Sequence, residues 1–144
     1  MRRIARSAIV PCSADALYEL VEDIQSYPSF VPWCAAAKVL ERTPGHTVAT
    51  LTLSLKGMRA SLTTENRNTP GRAIEMRQLE GPFRRFEASW HFAPLGARGA
   101  KVAFALRYEL ASRLLARALE PAFDRMADST VEAFTRRATA RLPG

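Results

Sequence analysis

The hydrophobic period of this chain switches once, near Ser112, and that switch limits what the chain can fold into. In the segments just before it, Phe86, Ala88, Trp90 and Phe92 alternate with Arg85, Glu87, Ser89 and His91, while Val102, Phe104, Leu106, Tyr108 and Leu110 oppose Lys101, Arg107 and Glu109. This is the two-residue period of antiparallel strands with one wet and one apolar face. From Ser112 to about Leu142 the spacing becomes helical. Leu115, Leu119, Ala122, Met126, Thr130 and Phe134 form a stripe flanked by Phe123 and Val131, opposite Arg113, Arg117, Asp124, Asp128, Glu132 and Arg136. Such a helix would be roughly 45 Å long, and Pro121 predicts a bend near Arg117–Glu120. A single amphipathic helix after a run of half-buried strands must lie across their apolar face, because nothing else is available to cover it.

Earlier segments supply the rest of that sheet. Arg3–Val10 alternates with Ile4, Ala8 and Val10 on one face, and Ser13 offers an N-cap for a short helix over Ala14–Glu22. Tyr27–Cys34 holds Pro28 and Pro32, so it is a short turn or helix followed by a packed corner. From about Ala36 the chain reads as strands: Leu51, Leu53 and Leu55 oppose Val48, Thr50 and Thr52. A reversal at Lys56-Gly57 leads into Met58, Ala60, Leu62 and Thr64, which oppose Arg59, Ser61, Thr63 and Glu65. Pro70-Gly71 and Gly81-Pro82 bracket one more strand, Ala73–Leu79. The expected fold is α+β: a curved antiparallel sheet of about seven strands wrapped around a long C-terminal helix, with two short helices after strand 1. No repeat, low-complexity tract or linker divides residues 1–144, which read as one domain. A twisted sheet and one helix leave a natural pocket between them unless large side chains fill it.

Two cysteines, Cys12 and Cys34, are too few for a disulfide framework and have no zinc-ligand spacing. Both read as reduced thiols, Cys34 as a small apolar filler beside Trp33. The net charge of +7 comes from 18 Arg and 3 Lys against 14 acids. Such a balance favours nucleic acid, ribosomes or anionic head groups, although scattered charge of this kind also simply solvates a surface. The basic start is followed too soon by Pro11, Ser13 and Asp15 to be a signal peptide. No run approaches the roughly 18 to 20 apolar residues that span a bilayer. The sequence reading is a cytoplasmic protein.

Three segments, IARSAIVPCSADALYELVEDIQSYPSFVPWC, EGPFRRFEASWHFAPL and RALEPAFDRMADSTVEAFTRRA, closely resemble the coenzyme Q-binding START-like family. The resemblance covers nearly the whole chain, and its most specific part is the stretch Tyr27–Cys34. It implies a helix-grip (START/Bet v 1-like) fold with a cavity between sheet and long helix. It also implies two different functions: mitochondrial members bind ubiquinone and support respiration, whereas bacterial members include ribosome association toxins that block subunit association.

An isoprenoid quinone needs an apolar tunnel with one or two donors near its mouth. The residues expected to line it are Trp90, Phe92, Phe104, Leu106, Phe123, Met126 and Phe134, with Tyr108 presenting both a ring and a hydroxyl; each also suits ordinary core. Tyr27, Phe30, Pro32 and Trp33 form an aromatic corner read as a gate to the pocket or a partner surface, the alternative being a wedge that fixes the helix turn against the sheet. A ribosomal contact would use Arg84, Arg85, Arg113, Arg117, Arg136 and Arg137, together with Arg2, Arg3 and Arg141, provided that several share a face.

Catalysis finds little support. His46 is expected in a turn beside Gly45 and His91 on a polar register, while Glu65, Glu75, Glu87 and Glu109 all fall on outward registers. No acid–base pair, metal set or phosphate-cradling loop enters the expected cavity, so a polyketide cyclase or dehydratase ranks third. No resident cofactor or metal is expected. The leading expectation is a non-enzymatic protein that binds ubiquinone or a related polyprenyl or acyl lipid. The alternative is a regulator, as in a toxin–antitoxin system, that binds the large ribosomal subunit. Peripheral membrane contact is compatible with both; DNA is not an expected partner.

Overall fold

The computed structural model describes residues 2–140. Its elements follow in the order β1 (Arg2–Val10), α1 (Ala14–Glu22), a 3-10 turn (Ile24–Ser29), β2 (Cys34–Thr43), β3 (His46–Leu55), β4 (Met58–Thr69), β5 (Ala73–Glu80), β6 (Phe83–Leu95), β7 (Gly99–Leu110) and α2 (Arg113–Ala140). The strands form one antiparallel sheet in the order β1-β7-β6-β5-β4-β3-β2, so every neighbour except the β1–β7 pair is also a neighbour in sequence. Register shifts in β2, between Thr63 and Thr64 in β4, and between Phe83 and Arg85 in β6 interrupt the ladders. Such bulges bend and twist a sheet, here around the single helix. This is the helix-grip architecture expected from the change of period.

Local chemistry explains the connections. Ser13 Oγ accepts the Ala16 amide at 3.1 Å and caps α1. Lys56 and Gly57 both take positive φ, 50° and 76°, which a two-residue hairpin with the twist of its strands requires. Gly71 has φ 74°, a conformation that strains any other residue, and a Cβ there would also displace the Asp15 carboxylate, 2.2 Å away at the start of α1. Gln78 braces the β5–β6 turn with both ends of its amide, donating to Phe83 O at 2.8 Å and accepting from Phe83 N at 3.2 Å.

Helix α2 is continuous through Pro121. Proline supplies no amide to the Arg117 carbonyl, and Lys56 Nζ from the β3–β4 hairpin donates to the adjacent Ala118 carbonyl at 3.1 Å. The helix was expected to reach about Leu142, but residues 141–144, including Arg141, lie outside the described residues. Along the sheet edge, Arg2 pairs with Asp124 at 2.8 Å and Arg6 with Asp128, tying β1 to α2 one turn apart. His46 is the first residue of β3 rather than part of a turn, and its Nε2 lies 3.3 Å from Glu65 Oε2. That contact and the Arg77 guanidinium hold the Glu65 carboxyl below its ordinary pKa.

The outer face of the sheet is a charge ladder. One rung runs Arg3, Arg107, Glu87, Arg77, Glu65 through five strands in register, with positive and negative groups alternating from Arg107 onward. Opposite charges directly across an antiparallel pair stabilise modestly, and the face remains solvated. The inner face is apolar and packs against α2. Trp90, Tyr108, Leu62 and Leu106 on the sheet, Phe134 on α2 and Leu17 on α1 are the largest fully buried apolar side chains.

Candidate ligand cavity

The inner faces of β3 to β7 and the middle of α2 enclose a cavity walled by Leu51, Leu53, Leu62, Thr64, Met76, Phe86, Ala88, Trp90, Phe104, Leu106, Met126, Thr130 and Phe134, with Tyr27 and Trp33 at one border. Its volume is about 40 Å³. The leftover space expected between sheet and helix is therefore largely filled by the aromatic side chains themselves. Trp90 packs against Phe104 at 4.7 Å and against Phe134 at 5.1 Å between ring centres.

Seven of the eleven residues expected to line the cavity do so: Tyr27, Trp33, Trp90, Phe104, Leu106, Met126 and Phe134. The other four lie elsewhere, for identifiable reasons. Phe92 is one inward position beyond Trp90, which carries it beneath α1, where it meets Tyr18 edge-on at 5.8 Å. Phe30 lies on the outer side of the corner, against Phe134 and below the Arg137 guanidinium. Tyr108 and Phe123 stack at 4.4 Å and join Phe83 and Phe86 in a second aromatic cluster, one layer beyond the cavity toward the start of α2.

Sequence reasoning did not select Leu51, Leu53, Leu62, Thr64, Met76, Phe86, Ala88 or Thr130 as cavity residues. A signal existed for most of them. Phe86 and Ala88 share the register of Trp90, and Leu51, Leu53, Leu62 and Thr64 occupy alternating positions on their own strands.

Polar groups at the cavity are engaged within the protein. Thr130 Oγ1 donates to Met126 O at 2.6 Å and accepts from Trp33 Nε1 at 2.7 Å. Thr64 Oγ1 donates to Asn66 Oδ1 at 2.8 Å, and the buried Tyr27 hydroxyl donates to Val21 O. Burial drives the Tyr27 pKa far up and raises that of the Cys34 thiol to about 11, so neither is a base near neutral pH. Cys12 and Cys34 are both free and buried. By contrast, the Tyr108 hydroxyl is buried and makes no hydrogen bond of normal geometry among the described residues, with the Arg2 guanidinium as its polar neighbour. Burial pushes its pKa up to about 12, with nearby Arg2 opposing the shift.

Carboxylates and imidazoles are absent from the cavity wall, and no group of three or more potential metal ligands occurs among the described residues. Glu65, Glu75, Glu87 and His91 border a hollow on the outer face instead, interleaved with Arg67, Arg77 and Arg107.

The arginines proposed for ribosomal contact fall into two groups. Arg113 and Arg117 lie in the first turns of α2, with Arg84 and Arg85 at the nearby start of β6, whereas Arg136 and Arg137 lie some 30 Å along the helix. Arg84 lies 3.7 Å from Glu109, and Arg136 pairs with Glu132. Arg2 is paired with Asp124, and Arg3 belongs to the outer ladder.

Known proteins extend this picture. A family model described as polyketide cyclase / dehydrase and lipid transport matches residues 10–135. The ribosome association toxin RatA of Escherichia coli (strain K12) is 38% identical over 138 residues, spanning 96% of this chain and 87% of that protein. The mitochondrial coenzyme Q-binding protein COQ10 homolog B of Xenopus laevis is 28% identical over 139 residues, spanning 93% of this chain and 57% of that protein. In structure, the Zhui aromatase/cyclase from a Streptomyces species superposes with a TM-score of 0.89 at 21% identity, covering 99% of this chain and 96% of that one. A START superfamily protein from Mycobacterium smegmatis gives 0.84 at 17% identity, covering 96% and 97%. Together with a sheet that grips one long helix over an aromatic cavity, these likenesses establish that the chain belongs to the polyketide cyclase/dehydrase and lipid transport family, with its START-like helix-grip fold.

Proposed function

We propose that this protein binds a flat-headed, long-tailed apolar molecule, ubiquinone or a related polyprenyl or acyl lipid, between sheet and α2, without turning it over. The observation that carries this reading is the cavity wall: it is almost wholly apolar, and its hydroxyls are already bonded. A wall of this kind favours an apolar guest and supplies no acid or base for cyclisation or dehydration. The likeness to the coenzyme Q-binding protein supports the choice of guest. A ring and tail of that size need several hundred cubic ångströms, so entry parts α2 from the sheet and moves Met126 and the aromatic side chains.

The test is mass spectrometry of an organic extract from natively purified protein, alongside titration of a short-chain ubiquinone against Trp33 and Trp90 fluorescence. A stoichiometric quinone or lipid with saturable quenching supports the reading. Protein that carries no such molecule and is unperturbed by quinone overturns it.

A second reading rests on the RatA relatives, whose identity of 38% extends over 96% of the chain. Here the protein associates with the large ribosomal subunit through its arginines. Co-sedimentation with isolated subunits that weakens steeply as salt rises supports this reading; absence of co-sedimentation at low salt removes it.

A further inference from the structure

Three connections meet at one end of the molecule: the β3–β4 hairpin at Lys56-Gly57, the β5–β6 turn, and the junction between β7 and α2. Registers and contacts put them at the same end of the sheet: Phe83 pairs with Leu110, Lys56 reaches the Ala118 carbonyl, and Glu80 pairs with Thr63, so that the β3–β4 hairpin projects beyond the β5–β6 turn. This end collects four of the seven large apolar residues exposed among the described residues. Leu114 is 81% exposed, Met58 50%, Leu79 46% and Leu115 40%. The same connections and the strand and helix ends beside them carry Lys56, Arg59, Arg84, Arg85, Arg113 and Arg117, with Glu80, Glu109 and Glu120 among them.

The first turn of α2 carries no acidic residue, and Arg113 and Arg117 set positive charge at the positive end of the helix dipole, against the usual preference. Exposed leucines on that turn and cations in its first two turns do little for folding. Large apolar side chains ringed by cations are what insertion into an anionic lipid surface requires. RNA would use the cations but gain little from Leu114 and Met58.

We propose that this end docks on an anionic bilayer, with Leu114, Leu115, Met58 and Leu79 entering the acyl boundary and the six cations meeting the head groups. The inference deepens the lipid-binding reading and rests on it for one part: the end is also the portal. Behind the exposed leucines lies the Phe83–Phe86–Tyr108–Phe123 cluster, and Phe86 is itself part of the cavity wall. Parting that cluster joins the cavity to the membrane, and the Tyr108 hydroxyl gains a partner in the polar head of the molecule that passes.

Vesicle flotation tests the docking. Vesicles of phosphatidylcholine and phosphatidylglycerol in equal parts should bind the protein at least about tenfold better than phosphatidylcholine alone, in a salt-sensitive way. The pair Leu114→Asp and Leu115→Asp should reduce binding by about tenfold or more. Ile9→Asp, which alters an apolar residue as exposed but far from this end, should leave binding unchanged. The Leu114 and Leu115 side chains are exposed, so circular dichroism of the double variant should match the parent.

Equal binding to both vesicle types, or binding that survives the double variant, overturns the docking surface. So does failure to float while the same residues are needed to bind ribosomal RNA. Quinone titration without vesicles separates this proposal from the one above: quenching without flotation removes the docking alone, and flotation without quenching removes the quinone reading and the portal while leaving the docking.

Discussion

Two borders of the cavity are built on opposite terms. At the corner from Tyr27 to Trp33, polar atoms are used up: the Tyr27 hydroxyl binds Val21 O, and the Trp33 indole binds Thr130 on α2. Tyr27 and Phe30 both pack edge-on to Phe134 at about 5 Å. Where α2 begins, the Tyr108 hydroxyl makes no well-formed hydrogen bond, and the helix turn above it exposes its leucines. Of the two roles open to the corner, gate or wedge, the bonding favours the wedge, because each engaged polar group must lose its partner before the corner can move. At the other border the bonds that tie α2 down, Lys56 to the Ala118 carbonyl and Arg2 to Asp124, lie near the surface, and the buried Tyr108 hydroxyl has no well-formed bond to lose.

Deleting the side chain at the centre of the cavity should have the largest effect. Trp90 contacts Phe92, Phe104 and Phe134 and is almost wholly buried, so Trp90→Ala should lower stability by about 3–5 kcal/mol in urea unfolding. A loss under about 1 kcal/mol would mean that the centre of the cavity collapses freely and that neither border is held by it.

Removing single polar groups, two at the corner and one at the other border, then sharpens the contrast. Tyr27→Phe strands the Val21 carbonyl in the core and should cost about 1–3 kcal/mol. Trp33→Phe breaks the link to Thr130, which keeps its bond to Met126 O, and should cost about 1 kcal/mol. Tyr108→Phe removes a buried hydroxyl that makes no well-formed hydrogen bond and should leave stability within about 0.5 kcal/mol or raise it, while weakening binding of a quinone head. Equal losses for Tyr27→Phe and Tyr108→Phe in the same denaturant series would erase the distinction between wedge and portal.

That distinction was only half legible in the sequence. Alternation in β6 and β7, and the helical stripe of α2, were enough to fix the fold, because burying one face of each dictates how they stack. Periodicity reports which face a side chain occupies but not how far along the cavity it lies. Phe92 and Tyr108 share the inward registers of Trp90 and Phe104, yet they sit beneath α1 and beneath the start of α2. Hydrogen bonding across distant segments was likewise invisible: nothing local to Trp33 indicates that its indole meets Thr130, 97 positions away. The division of the arginines between the two ends of α2 depends on where a helix of 28 residues begins and ends.

The smallest effect separates the two borders by pH. Cys34, at the corner, has its thiol pKa raised from 9.0 to about 11 by burial, and Tyr108, at the other border, is raised from 10.0 to about 12, also by burial. In both cases the folded state retains a proton that the unfolded chain releases earlier, so stability must fall as pH rises. The Cys34 contribution begins to be lost above about pH 9, where the unfolded thiol ionises, and stops growing once the folded thiol ionises near 11. Tyr108 adds its part about one pH unit higher. Thermal midpoints measured through this range should therefore decline in the parent, decline later in Cys34→Ala, and decline less steeply over the upper part in Tyr108→Phe, where buried Tyr27 still contributes. If Cys34→Ala follows the parent throughout, the thiol titrates at its ordinary value and the corner is open to water, which would move the gate back to Tyr27 and Trp33.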